Sequence, residues 1–271
     1  MAEATVTSVP RSSARRAPET GYGSRSYRNY ILGILLTVYI FNFIDRTIIN
    51  ILTEPIKESF GVEDWQMGLL GGPAFAILYT FVGIPIARFS EKHHRVWIIA
   101  GSVFLWSLMT VLCGFATSFI ALFIFRIGVS IGEAGCSPPA NSLIADYFVP
   151  AERSTAVSVY ALGIPLGGMV AYVFGGYIVG SLDGPIIGGL LASWNWTWAV
   201  NALDWQNIEG WRVAFAVVGV PGLIVAAIVK LTIAEPPRGY TDPAEMQNRE
   251  QVGFREVLRI LSQKPAYWHV T

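Results

Sequence analysis

Charge is scarce in this sequence. Asp, Glu, Lys and Arg together make up 14% of its 271 residues, against roughly 25% in soluble domains. The 19 acidic residues cancel the 19 basic ones, so no net field draws a polyanion and no nucleic-acid partner is expected. Cysteine is nearly absent. Cys113 and Cys136 both fall in apolar runs, which argues against a disulfide framework and for two small buried thiols. His93 and His94 stand together in a charged loop and read as solvated residues, so no metal site and no cofactor is expected. HExxH, a glycine-rich nucleotide loop and a Ser–His–Asp set are all missing, which argues against an enzyme.

What is abundant is apolar surface, at 53% of residues. A helix needs about 20 mostly apolar residues to cross a bilayer. Six segments meet that test, at about 30–52, 68–88, 96–116, 118–140, 156–180 and 211–233. A soluble chain of this length could hide one or two such helices, not six. The expected fold is an all-α membrane protein, a six-transmembrane-helix bundle.

Lys and Arg set the orientation, because cytoplasmic loops carry the excess of both. One side holds Arg11, Arg15, Arg16, Arg25 and Arg28 before the first helix. Arg88, Lys92 and Arg95 lie on that side between helices two and three, and Arg153 between four and five. Lys230, Arg238, Arg249, Arg255, Arg259 and Lys264 follow helix six. The other side has Lys57 and Arg212 among Glu54, Glu58, Glu63, Asp64, Asp183, Asp204 and Glu209. The expectation is an integral protein of a cell (inner or plasma) membrane with both termini cytoplasmic.

Residues 1–28 are polar and lack apolar periodicity, and read as a disordered tail. Residues 29–234 form the bundle. Within it, 181–210 is uncharged over much of its length, but a span there would turn helix six round and put the basic C-terminal segment outside. Trp194, Trp196, Trp198 and Trp205 suit a membrane–water interface, so an extracytoplasmic excursion on the membrane surface is expected. Residues 235–271 read as a cytoplasmic linker with a short amphipathic helix over 252–263.

Four ionisable residues sit at depth, where each costs about 2.5–3.5 kcal/mol and needs a partner or an aqueous cavity. They are Asp45 and Arg46 in helix one, and Arg126 and Glu133 in helix four. At about 1.5 Å per residue, Asp45 lies about 10 Å below the outer surface and Arg126 about 12 Å. The two are level and opposite in sign. Glu133 is two turns further along the same face of helix four, about 10 Å deeper. It is the second possible partner of Arg126. Burial favours the neutral form of an acid and a neighbouring guanidinium favours the charged form. Such a ladder reads either as a packing device or as a proton-linked switch lining a cavity, and the second reading is preferred. Glycines on helices two, four and five and prolines at 138, 139 and 165 permit close approach or kinks.

FNFIDR at 41–46, GIPIARFSEKHHR at 83–95 and FRIGVSIGEAGCSPPANSLIADYF at 125–148 resemble the spinster branch of the major facilitator superfamily. The likeness covers about 29–180 and resumes at GWRVAFAVVGVPGLIV, 210–225. It implies a twelve-helix, two-bundle transporter with alternating access, of which this chain supplies the N-terminal half. It implies that Asp45, Arg46, Arg126 and Glu133 serve proton coupling and substrate binding. The implied substrate is a small amphipathic organic solute, with lysolipids and sphingolipids as the family precedent. The superfamily signature between helices two and three runs Gly, three residues, Asp, a basic residue, any residue, Gly, Arg. Here Ala87, Glu91, Lys92, His94 and Arg95 occupy those places. Both glycines are lost, while Glu91, Lys92 and Arg95 keep the charges of the gate loop. The implied partners are the bilayer, protons, the solute and a missing C-terminal six-helix half. The rival expectation is a membrane protein that has lost transport and acts through partner binding.

Overall fold

A computed structural model describes residues 20–181, 184–196, 201, 204–242 and 262–263. All regular structure among them is helical. Six helices, some broken, are long and apolar enough to cross a membrane. The first is α1 (Arg25–Ile51). The short α2 (Thr53–Phe60) follows at its end. The second span is α3 (Asp64–Gly71) and α4 (Pro73–Lys92), and the third is α5 (Arg95–Gly114). The fourth joins α6 (Phe119–Ala134) to α7 (Ser137–Tyr147). The fifth joins α8 (Pro150–Ala161) to α9 (Gly163–Ser181). The sixth is α11 (Gly210–Thr232), preceded by the ten-residue α10 (Gly184–Ser193).

Apolar stripes at helical spacing build the bundle. On α1 the buried residues Ile31, Leu35, Val38, Asn42, Asp45 and Ile49 advance by alternating steps of four and three, the period that keeps one face inward. On α11 Trp211, Phe215, Val218, Gly222, Val225 and Val229 do the same. Helix α1 packs on α9, and α11 on α5, which also packs on α6. Gly167 shows why α9 carries glycine: a Cβ there would lie 2.6 Å from the Ile40 carbonyl oxygen of α1. By contrast α4 buries only Ser90, and its large residues Ile77, Phe81 and Ile84 face outward.

Proline and glycine account for the breaks. Pro73 has no N–H to continue the second span, and Gly72 before it takes φ −101°, ψ −127°. Gly135 and Cys136 separate α6 from α7, where Pro138 occupies the first turn. Pro165 likewise falls in the first turn of α9.

Two boundaries differ from expectation. The helix of the first span starts at Arg25, inside the stretch 1–28 read as a disordered tail. The reason is local: Ser24 caps the helix by accepting from the Tyr27 N–H at 3.2 Å. Arg28 is buried, and its Nη1 donates to the Gly21 and Gly23 carbonyls, both at 3.2 Å. Residues 1–19 lie outside the described residues. The second difference is at the other end. Residues 235–242, which begin the expected cytoplasmic linker, are strapped onto the bundle by the arginine contacts described below. The amphipathic helix expected over 252–263 lies outside the described residues, apart from 262 and 263.

The stretch 181–210 makes no span among its described residues. At ten residues α10 is half the length that crossing needs. The Gly184 N–H donates to the Ile208 carbonyl at 3.1 Å, so the chain leaves and returns at the same end. That end also holds α2 and the acidic residues, since Ser59 Oγ donates to Glu209 Oε2 at 2.9 Å. It is called the acidic end below, and the opposite one the basic end. Arg212 serves the acidic end by donating Nη1 to the Gly114 and Ala116 carbonyls at 3.2 and 2.5 Å. It thereby satisfies groups that the C-terminus of α5 leaves open.

Candidate substrate and proton site

Adjacent residues of a helix point about 100° apart at 3.6 residues per turn. Asp45 and Arg46 use that divergence to reach two different partners. Asp45 is buried and accepts from Arg126 Nη1 of α6 at 2.7 Å on one carboxylate oxygen. Its other oxygen accepts from Thr110 Oγ1 of α5. Arg46 donates Nε to Glu133 Oε2 of α6 at 2.5 Å. Glu133 is fully buried, whereas the Arg46 side chain keeps 27% of its surface exposed. The four charged residues singled out in the sequence therefore meet as two ion pairs between α1 and α6. Glu133 is paired with Arg46, not shared with Arg126.

An aromatic shelf covers the guanidinium groups. Arg46 Cζ lies 4.4 Å from the Tyr79 ring centroid and 5.4 Å from those of Phe75 and Phe43. Arg126 Cζ lies 5.5 Å from the Phe75 centroid, so that one ring touches both arginines. Phe75 sits three residues after the break at Gly72, and its carbonyl accepts from Ser130 Oγ of α6 at 3.0 Å. The broken span is thus tied directly to the charged pairs. Phe75 and Tyr79 were not singled out in the sequence, although their spacing of four places them on one face of the helix.

Two polar atoms in this cluster are buried without a partner, Arg126 Nε and Glu133 Oε1. A buried carboxylate oxygen left open is costly. It also marks the place where a proton or a donor from a solute has something to bind. Gly132, next to Glu133, allows α6 to press on α5: a Cβ there would lie 2.7 Å from the Trp106 nitrogen.

The three residues of the expected gate loop differ in burial. Glu91 and Lys92 are exposed, and only Arg95 is drawn in. Arg95 is 1% exposed and organises the basic end. Its Nε donates to Glu235 Oε1 at 2.6 Å, and Nη2 donates to the Pro236 carbonyl at 2.9 Å. Nη1 donates to Ser142 Oγ at 2.9 Å and to Asp146. Glu235 also accepts from the Val96 N–H at 3.0 Å, and Asp146 from the Gly239 N–H at 2.9 Å. Nearby, Arg153 donates Nη2 to Asp242 at 2.6 Å, and Arg238 donates Nη2 to the Ser90 and His93 carbonyls at 2.7 and 2.6 Å. Burial, and the nearby charge of Arg95, push the Arg238 guanidinium below its ordinary value. Asp146 and Glu235 are the residues that sequence reasoning missed. They lie 51 and 140 positions from Arg95, so no local pattern joins them.

Fold and site together define a polytopic helical membrane protein with a buried, charged, two-helix site. The comparisons with known proteins agree. The model of the Major Facilitator Superfamily matches residues 35–271. The chain belongs to that superfamily, in its spinster-like branch, and corresponds to the N-terminal six-helix half of the fold. An MFS-type efflux pump of Mycolicibacterium smegmatis is 32% identical over 202 residues, 74% of this chain and 41% of its own length. Protein spinster homolog 1 of Mus musculus is 29% identical over 224 residues, 81% of this chain and 37% of its own. A crystal structure of a bacterial homolog to the human lysosomal transporter spinster, inward-facing and unoccupied, superposes with a TM-score of 0.84. It is 48% identical and covers 91% of this chain and 51% of its own. The chain therefore spans 37–41% of the length of these two curated relatives.

Proposed function

We propose that this chain is the N-terminal half of a proton-coupled secondary transporter for a small amphipathic organic solute, with a lysolipid or sphingolipid as the leading candidate. The observation that carries the reading is the double ion pair: neighbouring residues of α1 hold two charges of α6, one pair sealed and the other partly open. Packing alone asks for neither the exposed flank of Arg46 nor the unpartnered oxygen of Glu133.

In this reading Asp45, Thr110 and Arg126 form the fixed pair and Arg46 with Glu133 the working pair. Arrival of a proton on Glu133 neutralises the carboxylate and releases the Arg46 guanidinium, which then swings on its aromatic shelf. A guanidinium so released suits a phosphate or carboxylate on the solute, which it binds through two parallel N–H donors. Loss of the proton restores the pair and expels the anion. Because α1 and α6 hold opposite members of each pair, the exchange shifts one helix against the other. The excess of Lys and Arg supports a basic end, and both termini, on the cytoplasmic side of a cell membrane. Substrate sites in such folds lie between two repeats, so the second six-helix half completes the cavity.

The test is transport in vesicles with an imposed pH gradient, using a fluorescent lysophospholipid as the solute. The chain is compared alone and together with a spinster-type C-terminal half supplied as a second polypeptide. Gradient-driven movement only in the completed protein is expected. Robust movement by the 271-residue chain alone, or none in either form, would overturn the reading.

A further inference from the structure

A groove of about 540 Å³ runs along the outside of the bundle where α4 and α5 part over α6. Gly101, Ser102 and Gly132 form its floor, and Ile86, Leu105 and Ile131 stand among its apolar walls. Phe89 and Trp97 flank its mouth at the basic end, both more than half exposed. From Trp97 to Leu105 the groove follows α5 for eight residues, about 12 Å at 1.5 Å per residue. That is most of the depth of one leaflet, about 15 Å for a hydrocarbon core of about 30 Å.

The groove opens away from the charged site. Gly132 lines it while the next residue, Glu133, points to Arg46, about 100° round α6. A second half seated over the charged pairs, as the proposed function requires, leaves the groove facing lipid.

Its mouth is positively flanked. Lys230 Nζ of α11 lies 4.4 Å from the Trp97 ring centroid. Lys92 is exposed at the last turn of α4, and the His93 ring stacks on Phe89 with centroids 3.7 Å apart. Among the described carboxylates at this end, Glu235 is already held by Arg95, the Val96 N–H and His94, while Glu91 stands exposed beside Lys92.

We propose that this groove holds one acyl chain of an anionic phospholipid of the surrounding leaflet, with the headgroup phosphate between Lys230 and Lys92. The cations at the mouth select the headgroup, and the glycine floor admits the chain.

Native mass spectrometry of the full chain, released from detergent with equal amounts of phosphatidylglycerol and phosphatidylcholine, tests this. Retention of one phosphatidylglycerol is expected, with a roughly tenfold preference, because each basic side chain near an anionic surface counts for several-fold. Gly101→Leu fills the groove where a Cβ meets no atom within 4 Å. It should keep its melting temperature in lipid-free detergent and lose the bound lipid. Lys92→Gln with Lys230→Gln should retain the two lipids alike. Equal retention by the unaltered chain, or undiminished phosphatidylglycerol on Gly101→Leu, would overturn the proposal. So would a photo-crosslinker in place of Trp97 that captures the second transporter half instead of lipid.

Discussion

Removing one member of the sealed pair should be far more damaging than removing both. Asp45 and Arg126 each expose only 2% of their side chains, and their contact is 2.7 Å long. Arg126→Gln leaves the Asp45 carboxylate in a dry site with Thr110 as its remaining donor. Breaking a buried pair from one side costs about 3–5 kcal/mol. The Thr110 hydrogen bond offsets part of that, so about 3 kcal/mol is expected. Asp45→Asn strands the guanidinium, whose Nε already lacks a partner, and should cost as much. The double variant leaves two neutral amides able to bond one another, and is expected to lose about 1–2 kcal/mol in total, since neutral partners recover most of the burial cost. The assay is a double-mutant cycle on unfolding in mild detergent, with a coupling of about 4–5 kcal/mol expected if the pair is sealed, the two single losses less the double one. Additive losses would refute the reasoning, because they would mean that water in the cavity hydrates each charge separately.

Arg46→Gln should cost at least as much as Arg126→Gln, about 3 kcal/mol or more, because it strands the fully buried Glu133 carboxylate, which among the described residues has no second donor comparable to Thr110; the same unfolding assay checks the order. Gly132→Ala places a Cβ 2.7 Å from the Trp106 nitrogen and should destabilise by about 1–3 kcal/mol through overpacking, seen as a lower melting temperature. Arg95→Gln should release residues 235–242 from the basic end, and limited proteolysis should then cut there several-fold faster while the six spans stay protected. Single cysteines at Ser193 and Ser262, tested with an impermeant thiol reagent on intact cells, should label at 193 and not at 262; the reverse pattern would overturn the proposed orientation.

The parts legible in the sequence were those carried by composition and depth. Six apolar runs predicted six spans because the length of a bilayer-crossing helix is set by the membrane. Asp45 and Arg126 could be matched because their heights follow from the rise per residue, which needs no knowledge of packing. The partner of Glu133 was harder. Height puts Glu133 about 10 Å deeper than either Arg46 or Arg126, and the choice depends on which way adjacent α1 residues diverge and how far an arginine side chain extends. Arg95 is legible in the sequence only as a gate-loop charge, because its acids come from α7 and from the chain beyond α11. Two local signals were available and went unused. Ser24 four residues before Arg28 is an N-cap, which fixes the start of α1. The Gly71-Gly72-Pro73 run predicts the break that positions Phe75.

The central claim is that the Arg46–Glu133 pair couples proton movement to solute movement. The most direct measurement compares two modes of transport in vesicles holding the protein completed by a second half. One mode is accumulation of a fluorescent lysophospholipid driven by a pH gradient; the other is exchange of labelled for unlabelled lysophospholipid with no gradient. Glu133→Gln is expected to abolish accumulation while exchange continues, since a side chain that cannot lose its proton still permits binding. Accumulation by Glu133→Gln at the level of the unaltered protein would contradict the account.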